Sequence, residues 1–442
     1  MAVRTLTSRS AAPVPEIGRA RAGLDWRHSF LWMVAVAFLL RLGAIVIFHT
    51  YRYGSAEGHF SFGYEMGRIA AAIASGHGFS NPFQIPTGPT AWEPPLYPYL
   101  TAGIFRLFGI YSHASAFVLL TINSFFSALT TIPIYLIGKR TFDRTVALWS
   151  AWLWAVLPFT MYWSTKWVWE TSLAALLLAL AFLIALELAE QPTHRKWLAF
   201  GLLWGVAALN NPTTLSFLPF ATGWIVFRSW RKRQPWLLGC AFAGVVMLAV
   251  VSPWLLRNYR AFGRPLFIRD NFGAELRLGN GPGANGLWMA WLHPTWNPRE
   301  LQRYQQLGEP GYVAERRQEA LQFISRNPRQ FVAVTMKRIV YFWAGVPRAG
   351  HPLINQLKAS LFLASSVLAL WGLGRAVRHR KPAAFLYASL LLAYPIVYYI
   401  AYPQPRYRHP IEPEMLLLAV YLICEAGAAR GAAHIPRELE GK

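Results

Sequence analysis

The chain has 442 residues, of which 55% are apolar, 15% aromatic and only 14% charged. Soluble domains carry about 25% charged residues, so this composition excludes a disordered chain, a fibre or an ordinary soluble enzyme. Lys and Arg outnumber Asp and Glu 43 to 20, for a net charge of +23, and two lone cysteines, Cys240 and Cys424, exclude a disulfide framework or a cysteine-rich zinc site.

A bilayer core about 30 Å thick takes about 20 apolar residues per helix. Ten apolar runs fall at 30–49, 113–137, 145–163, 171–188, 197–210, 213–227, 235–255, 353–373, 382–401 and 412–427. The expectation is an α-helical polytopic membrane protein with about ten transmembrane helices. The short fifth and sixth runs meet at Asn210-Asn211-Pro212, a tight turn or a broken helix, so the count spans nine to eleven. Residues 1–29 form a basic arm. The first run is too long for a cleaved signal peptide, and no small-residue cleavage pattern follows it.

Lys and Arg in short loops set orientation. Under the ten-helix count these residues fall on one side: Arg4, Arg9, Arg19, Arg21 and Arg27; Lys139-Arg140 with Arg144; Arg195-Lys196; Arg228 with Arg231-Lys232-Arg233; Arg375, Arg378 and Arg380-Lys381; and Arg430 in the 428–442 tail. That side reads as cytoplasmic. The charge is then a topology signal and a contact with anionic lipid, with no nucleic-acid partner implied. The other face carries two large extracytoplasmic loops with amphipathic helices. One, 50–112, lies within an N-terminal transmembrane module of 30–255, and the other, 256–352, precedes C-terminal helices over 353–427.

There is no P-loop, no dinucleotide glycine motif, no Gly-x-Ser-x-Gly elbow and no His-Glu-x-x-His. The only aspartates, Asp25, Asp143 and Asp270, leave no Asp-x-Asp for a metal-bound nucleotide sugar. No cytoplasmic loop is large enough for a nucleotide-binding domain. An enzyme of this design would receive its activated substrate on a lipid.

A general base near the outer membrane surface must come from few acids: Glu57, Glu65, Glu93, Glu170, Asp270, Glu275, Glu300, Glu309, Glu315, Glu319, Glu412 and Glu414. Glu65 lies in Gly63–Ala74, where Met66, Ile69, Ala70 and Ile73 recur with helical spacing, Arg68 is its i+3 neighbour and Gly76 is placed to end the helix. A plain surface helix with one ion pair fits the same pattern. Glu93 precedes Pro94 and Pro95, which stiffen the backbone around it, though an exposed turn would look the same. Arg257, Arg260 and Arg264 follow the seventh run, and Arg406, Arg408 and His409 precede the last. Arginine forks at helix ends bind phosphate, and interfacial snorkelling is the alternative. In the second loop, the Gly-rich 278–286 stretch is a phosphate nest or a flexible connection, and 311–325 reads helical. A helix over 328–343 either lies in the outer interface or spans, which would invert the helices after it.

The order of these motifs resembles a known class. Gly76-His-Gly-Phe-Ser, Pro94-Pro-Leu-Tyr-Pro, Pro253-Trp-Leu-Leu-Arg-Asn-Tyr, Gly273-Ala-Glu-Leu with Leu278-Gly-Asn, and Arg406-Tyr-Arg-His-Pro follow a first membrane helix and an acid beside an amphipathic helix. Together, over about 30–427, they resemble the GT-C class of polyprenyl-phosphate-sugar glycosyltransferases. The nearest resemblance is to the family 39 protein mannosyltransferase and lipid A aminoarabinose transferase group, with its RgtA/B/C/D-like bacterial branch. It implies a multi-pass enzyme of a bacterial-type inner membrane. Such an enzyme would move a hexosyl or pentosyl group from a polyprenyl-phosphate-linked donor to a protein, lipid or glycan acceptor on the extracytoplasmic face. It also implies an essential acid in the first outer loop. Many members carry Asp or Asp-Glu close to the first helix, and this chain has no Asp there, so Glu65 and Glu57 both stand as candidates. Glu93 matches the acid before the Pro-Pro pair of the aminoarabinose transferases. The donor phosphate would be held by some of Arg257, Arg260, Arg406 and Arg408, with Arg68, His77 and His409 in support. No metal ligand is assigned, no cofactor is certain, and a divalent metal is left open. Two alternatives stand beside this one: a ligase or polymerase of lipid-linked glycans, and a lipid or solute transporter. The transporter reading would draw on Arg41, Asn123 and Asn210-Asn211, but the chain has no detectable repeat.

Overall fold

The computed structural model describes residues 30–54, 59–347 and 352–433, and among them the regular structure is helical, with one isolated β-bridge between Ser80 and Pro89. The helix α1 (Phe30–Ile47) leads to the first outer loop, which holds α2 (Tyr64–Ala74) and α3 (Leu96–Phe108). α4 (His113–Leu129) begins where the Ser112 hydroxyl accepts the Ser115 N–H, and α5 (Thr131–Thr141) extends it into one apolar stretch of 29 residues. α6 (Arg144–Val156) starts at Asp143, whose carboxylate accepts the Val146 N–H. It bends by 46° into α7 (Pro158–Lys166), because Pro158 offers no N–H to continue the ladder.

That bend strands carbonyls in an apolar interior. The fully buried Arg41 of α1 answers them, donating at 2.9 Å to the Trp154 and Ala155 oxygens, and also to Ala37 O and the Ser127 hydroxyl. A buried carbonyl left unpaired costs about 1–3 kcal/mol, so the guanidinium and the broken helix end stabilise each other. Arg41 is thereby committed to main-chain carbonyls, which sets it apart from a transport-path cation.

α8 (Thr171–Glu190) is the buried axis. Around it pack α4, α5, α9 (His194–Asn210), α10 (Leu218–Arg231) and the 3-10 segment Pro405–Ile411. The Asn210-Asn211-Pro212 junction is a helix end followed by a 3-10 turn. α11 (Leu237–Phe262) packs on α9 and leads to the second outer loop, with α12 (Phe272–Gly279), α13 (Pro298–Arg326) and α14 (Pro328–Ala344). α13 breaks at Gly308, φ 66°, so the helix expected from residue 311 is its second half. The chain closes with α15 (Pro352–Arg378), α16 (Ala384–Ala393), α17 (Ile396–Ile400) and α18 (Glu412–Ala433).

The ten expected spans do not stand alike. Among the described residues His113–Thr141, Thr171–Glu190, Leu237–Phe262 and Asn355–Arg378 are long and apolar enough to cross a membrane. The bent α6–α7 pair makes a fifth, while Leu31–Ile47 and Ala384–Ile400 are apolar but shorter. α14, with Lys337 and Arg338 inside it, is not in this set.

The basic loops gather at one end of the bundle. Arg140 pairs with Glu187 at 2.6 Å, Lys196 Nζ donates to Glu187 O and Gln191 O, and Lys232 Nζ reaches Ala189 O at 2.9 Å. Glu170 caps the other end of α8, a helix of 20 residues. At 1.5 Å per residue the two ends are about 30 Å apart, one bilayer core.

At that far end the two large loops knit together. The buried Glu309 of α13 accepts hydrogen bonds from the Thr90 hydroxyl, the Ala91 N–H at 2.6 Å and the Tyr304 hydroxyl at 2.7 Å. Arg338 of α14 donates to Gly279 O and, at 2.8 Å, to Ile400 O, joining α12 to α17. Gly279 is required there, since a Cβ would lie 1.9 Å from the Ala401 carbonyl oxygen.

Candidate active site

Between the knitted loops and the ends of α8 and α17 lies a cavity of about 500 Å³. One wall is the start of α2. Gly63 caps this helix with φ 76°, and a Cβ there would meet the Trp169 ring at 2.7 Å, so only glycine lets α2 sit against this aromatic. Glu65 in the first turn lines the cavity, where the helix dipole favours an anion. One of its oxygens meets His293 Nε2 at 3.3 Å and the Thr295 hydroxyl at 3.4 Å.

A second wall is a charge network. Arg269 donates to Trp92 O at 2.8 Å and to Glu93 at 3.2 Å, and lies 3.7 Å from Glu275. Glu275 of α12 also accepts from Asn271 at 2.8 Å and from the Tyr402 hydroxyl. Burial pushes the Glu93 carboxyl up to about 8; Arg269 pulls against that shift, and Glu65, Glu170 and Glu275 add to it. Its surroundings thus favour the neutral form of Glu93 more than water does, while its carboxyl accepts the Arg269 hydrogen bond. Burial works against the Arg269 charge, but Glu93 and Glu275 outweigh it and hold the guanidinium above its ordinary value.

The third wall is aromatic and cationic. The Arg406 guanidinium lies 3.4 Å from the centre of the Trp169 ring and 5.1 Å from that of Tyr407. Among the described residues no carboxylate is within ion-pair distance of it, and its one side-chain hydrogen bond is a long 3.5 Å contact to the Tyr407 hydroxyl. Among the described residues the Glu170 carboxylate beside it accepts only a long hydrogen bond, 3.4 Å, from Asn211. Burial disfavours the Arg406 charge, yet Tyr407 and Glu170 keep its affinity for the proton above the ordinary value.

The cavity thus gathers Glu65, Glu93 and Arg406 from the sequence candidates. Arg257 does not line it. Its guanidinium donates at 2.6 Å to both Thr90 O and Phe79 O, tying the first outer loop to α11. Arg408 and His409 also lie elsewhere: both meet Glu412, and Arg408 donates to Phe362 O and Ser366, while its guanidinium stacks on Phe362 at 3.2 Å. The four expected phosphate-binding arginines narrow to Arg406, because main-chain carbonyls and Glu412 occupy Arg257 and Arg408, and Arg260 sits exposed away from the cavity. His77 is exposed, and Arg68 lies with its guanidinium 5.9 Å over the Tyr64 ring. Glu57 falls outside the described residues. Glu170 and Glu275 are among the candidate acids of the sequence, where nothing further distinguishes them. Arg269 and His293 had no local signal beyond lying in an outer loop. Among the described residues no group of three or more His, Cys, Asp or Glu is arranged to hold a metal ion.

Residues 92–256 match the family model of dolichyl-phosphate-mannose-protein mannosyltransferases. No curated protein matches the chain significantly. The fold is similar to that of the Archaeoglobus fulgidus oligosaccharyltransferase solved with zinc and sulfate, with TM-score 0.52 and 15% identity over 90% of this chain and 50% of that one. It is similar to the same organism's AglB, solved with an inhibitory peptide and a dolichol-phosphate, with TM-score 0.53 and 14% identity over 92% of this chain and 52% of that one. A looser likeness, TM-score 0.39 at 14% identity over 91% of this chain and 79% of that one, is to ArnT from Cupriavidus metallidurans bound to undecaprenyl phosphate. The chain spans about half the length of the archaeal enzymes. The family match over 92–256 and the shared fold are what a chain similar to the GT-C class of membrane glycosyltransferases would show.

Proposed function

We propose that the chain moves a sugar from a polyprenyl-phosphate-linked donor to an acceptor on the extracytoplasmic face, in the cavity between its outer loops. One observation carries this reading. Glu65 and an Arg406 without a carboxylate partner line the same cavity, at the end of α8 opposite the basic loops.

The chemistry needs few groups. The acceptor oxygen bonds to the anomeric carbon as the bond from that carbon to the phosphate oxygen breaks. The acceptor proton passes to Glu65 as general base, a contribution of about 10²–10⁴ in rate. The departing lipid phosphate gains negative charge, which the guanidinium of Arg406 stabilises, so no general acid is required. Glu93 lines the cavity and holds the Arg269 guanidinium in place. Trp169, Trp288 and Tyr402 supply flat apolar faces for a sugar ring. The Lys/Arg distribution supports the extracytoplasmic assignment.

The test uses purified protein in nanodiscs, a panel of radiolabelled polyprenyl-phosphate sugars and membranes as acceptor source. Wild type should release lipid phosphate from at least one donor, and Glu65→Gln and Arg406→Ala should lose that release while eluting and melting as folded protein. Full activity in Glu65→Gln would remove Glu65 as the base. Failure to cleave every donor would remove the reading.

A further inference from the structure

We infer that His293 is a positioning residue that orients Glu65 from the opposite outer loop, so that one defined carboxylate oxygen faces the acceptor. The inference rests on the proposed role of Glu65 as base.

The ring's two nitrogens have different partners. The Thr295 N–H donates to Nδ1 at 3.2 Å, so that nitrogen presents its lone pair. The proton then sits on Nε2, which points at Glu65 Oε1 at 3.3 Å and donates to it. The Thr295 hydroxyl approaches the same oxygen at 3.4 Å. Both donors of the second loop therefore fall on one oxygen. Among the described residues no hydrogen bond reaches Oε2, which is left for an incoming acceptor hydroxyl or amine.

The ring itself is fixed. His293 is 5% exposed and held edge-on by Phe83, Trp92 and Trp288, with centroids 5.9, 6.2 and 5.6 Å away. Pro294 stiffens the turn that brings the Thr295 N–H back to the ring. Glu65 and His293 lie 228 positions apart, so the base is oriented only once the second outer loop has docked on the first. Without His293, the Glu65 side chain regains rotamer freedom in a cavity large enough to let it swing. A misplacement of about 1 Å costs roughly a hundredfold in rate.

The test compares three variants in the lipid-phosphate release assay. His293→Phe keeps the aromatic packing and removes the donor. His293→Ala removes both. His293→Gln places an N–H near the position of Nε2. The expected result is a fall in kcat of about a hundredfold for Phe and Ala, with KM for the donor lipid unchanged, and recovery to within about tenfold for Gln. In the Glu65→Gln background, His293→Ala should cost nothing further. A merely structural histidine would give the reverse order, Phe active and Gln impaired, and that outcome overturns the inference. So does an equal additional loss in the Glu65→Gln background. If Glu65→Gln alone is fully active, the base reading fails instead. Melting curves confirm that each variant is folded.

Discussion

Glu309 offers a stability prediction with a definite sign. It is buried, and its carboxyl takes the Thr90 hydroxyl, the Ala91 N–H and the Tyr304 hydroxyl, so it clamps α13 to the segment that carries Glu93. Burial pushes it up from 4.5 to about 7, against the pull of those three donors. A carboxyl whose folded value is raised contributes stability that is complete below the unfolded value. That stability is lost as pH rises through the folded one. The shift of about 2.5 pH units, at 1.36 kcal/mol each, amounts to about 3 kcal/mol lost between pH 4.5 and pH 7, with no further loss above. Glu309→Gln cannot ionise. It should sacrifice about 1 kcal/mol at pH 5 through one impaired hydrogen bond and be the more stable protein at pH 8.5. Thermal unfolding of both proteins in one detergent from pH 5 to 8.5 reads this directly as crossing curves. Parallel curves would show that ionisation of Glu309 is not what the clamp resists.

Arg257→Met should lower the melting temperature, because it leaves the Thr90 carbonyl without its donor and the Phe79 carbonyl with the Thr90 N–H alone, while binding of polyprenyl phosphate to the folded fraction is retained. Arg41→Met should destabilise the bundle by about 1–3 kcal/mol, since the Ala155 carbonyl at the α6–α7 bend loses its donor while Trp154 O keeps the Thr160 hydroxyl; a melting curve like that of wild type would contradict that role. Because burial raises the Glu93 carboxyl to about 8 against the pull of Arg269, Glu93→Gln should keep most transfer activity at pH 7 and abolish any loss of activity that wild type shows above pH 8. A variant inactive at pH 7 would show that ionised Glu93 is needed.

Much of the architecture was written locally. Ser112, Asp143 and Asn297 start helices by accepting N–H bonds from the next turn, and Pro158 and Gly308 break them, all on cues within a few residues. The amphipathic period of 64–74 placed Glu65 on a helix, and the Arg406 segment stood out as arginines among aromatics and prolines just before the last apolar run. The rest of the cavity depends on pairings without local pattern. Glu65 meets His293, Glu93 meets Arg269 and Glu275 meets Tyr402 across 228, 176 and 127 positions. Arg257, Arg406 and Arg408 are the same side chain on similar segments. Only the fold determines that backbone carbonyls occupy the first, that an aromatic face and an open cavity surround the second, and that Glu412 neutralises the third.

The central claim is that one cavity holds both the lipid-phosphate binder and the base. The most direct measurement compares binding of polyprenyl phosphate with sugar transfer in Glu65→Gln and Arg406→Met. The account predicts that Glu65→Gln binds the lipid phosphate as wild type does while transferring about a hundredfold or more slowly, and that Arg406→Met loses binding together with transfer. Lipid-phosphate binding that survives in a folded Arg406→Met protein, or transfer that survives in Glu65→Gln, would contradict it.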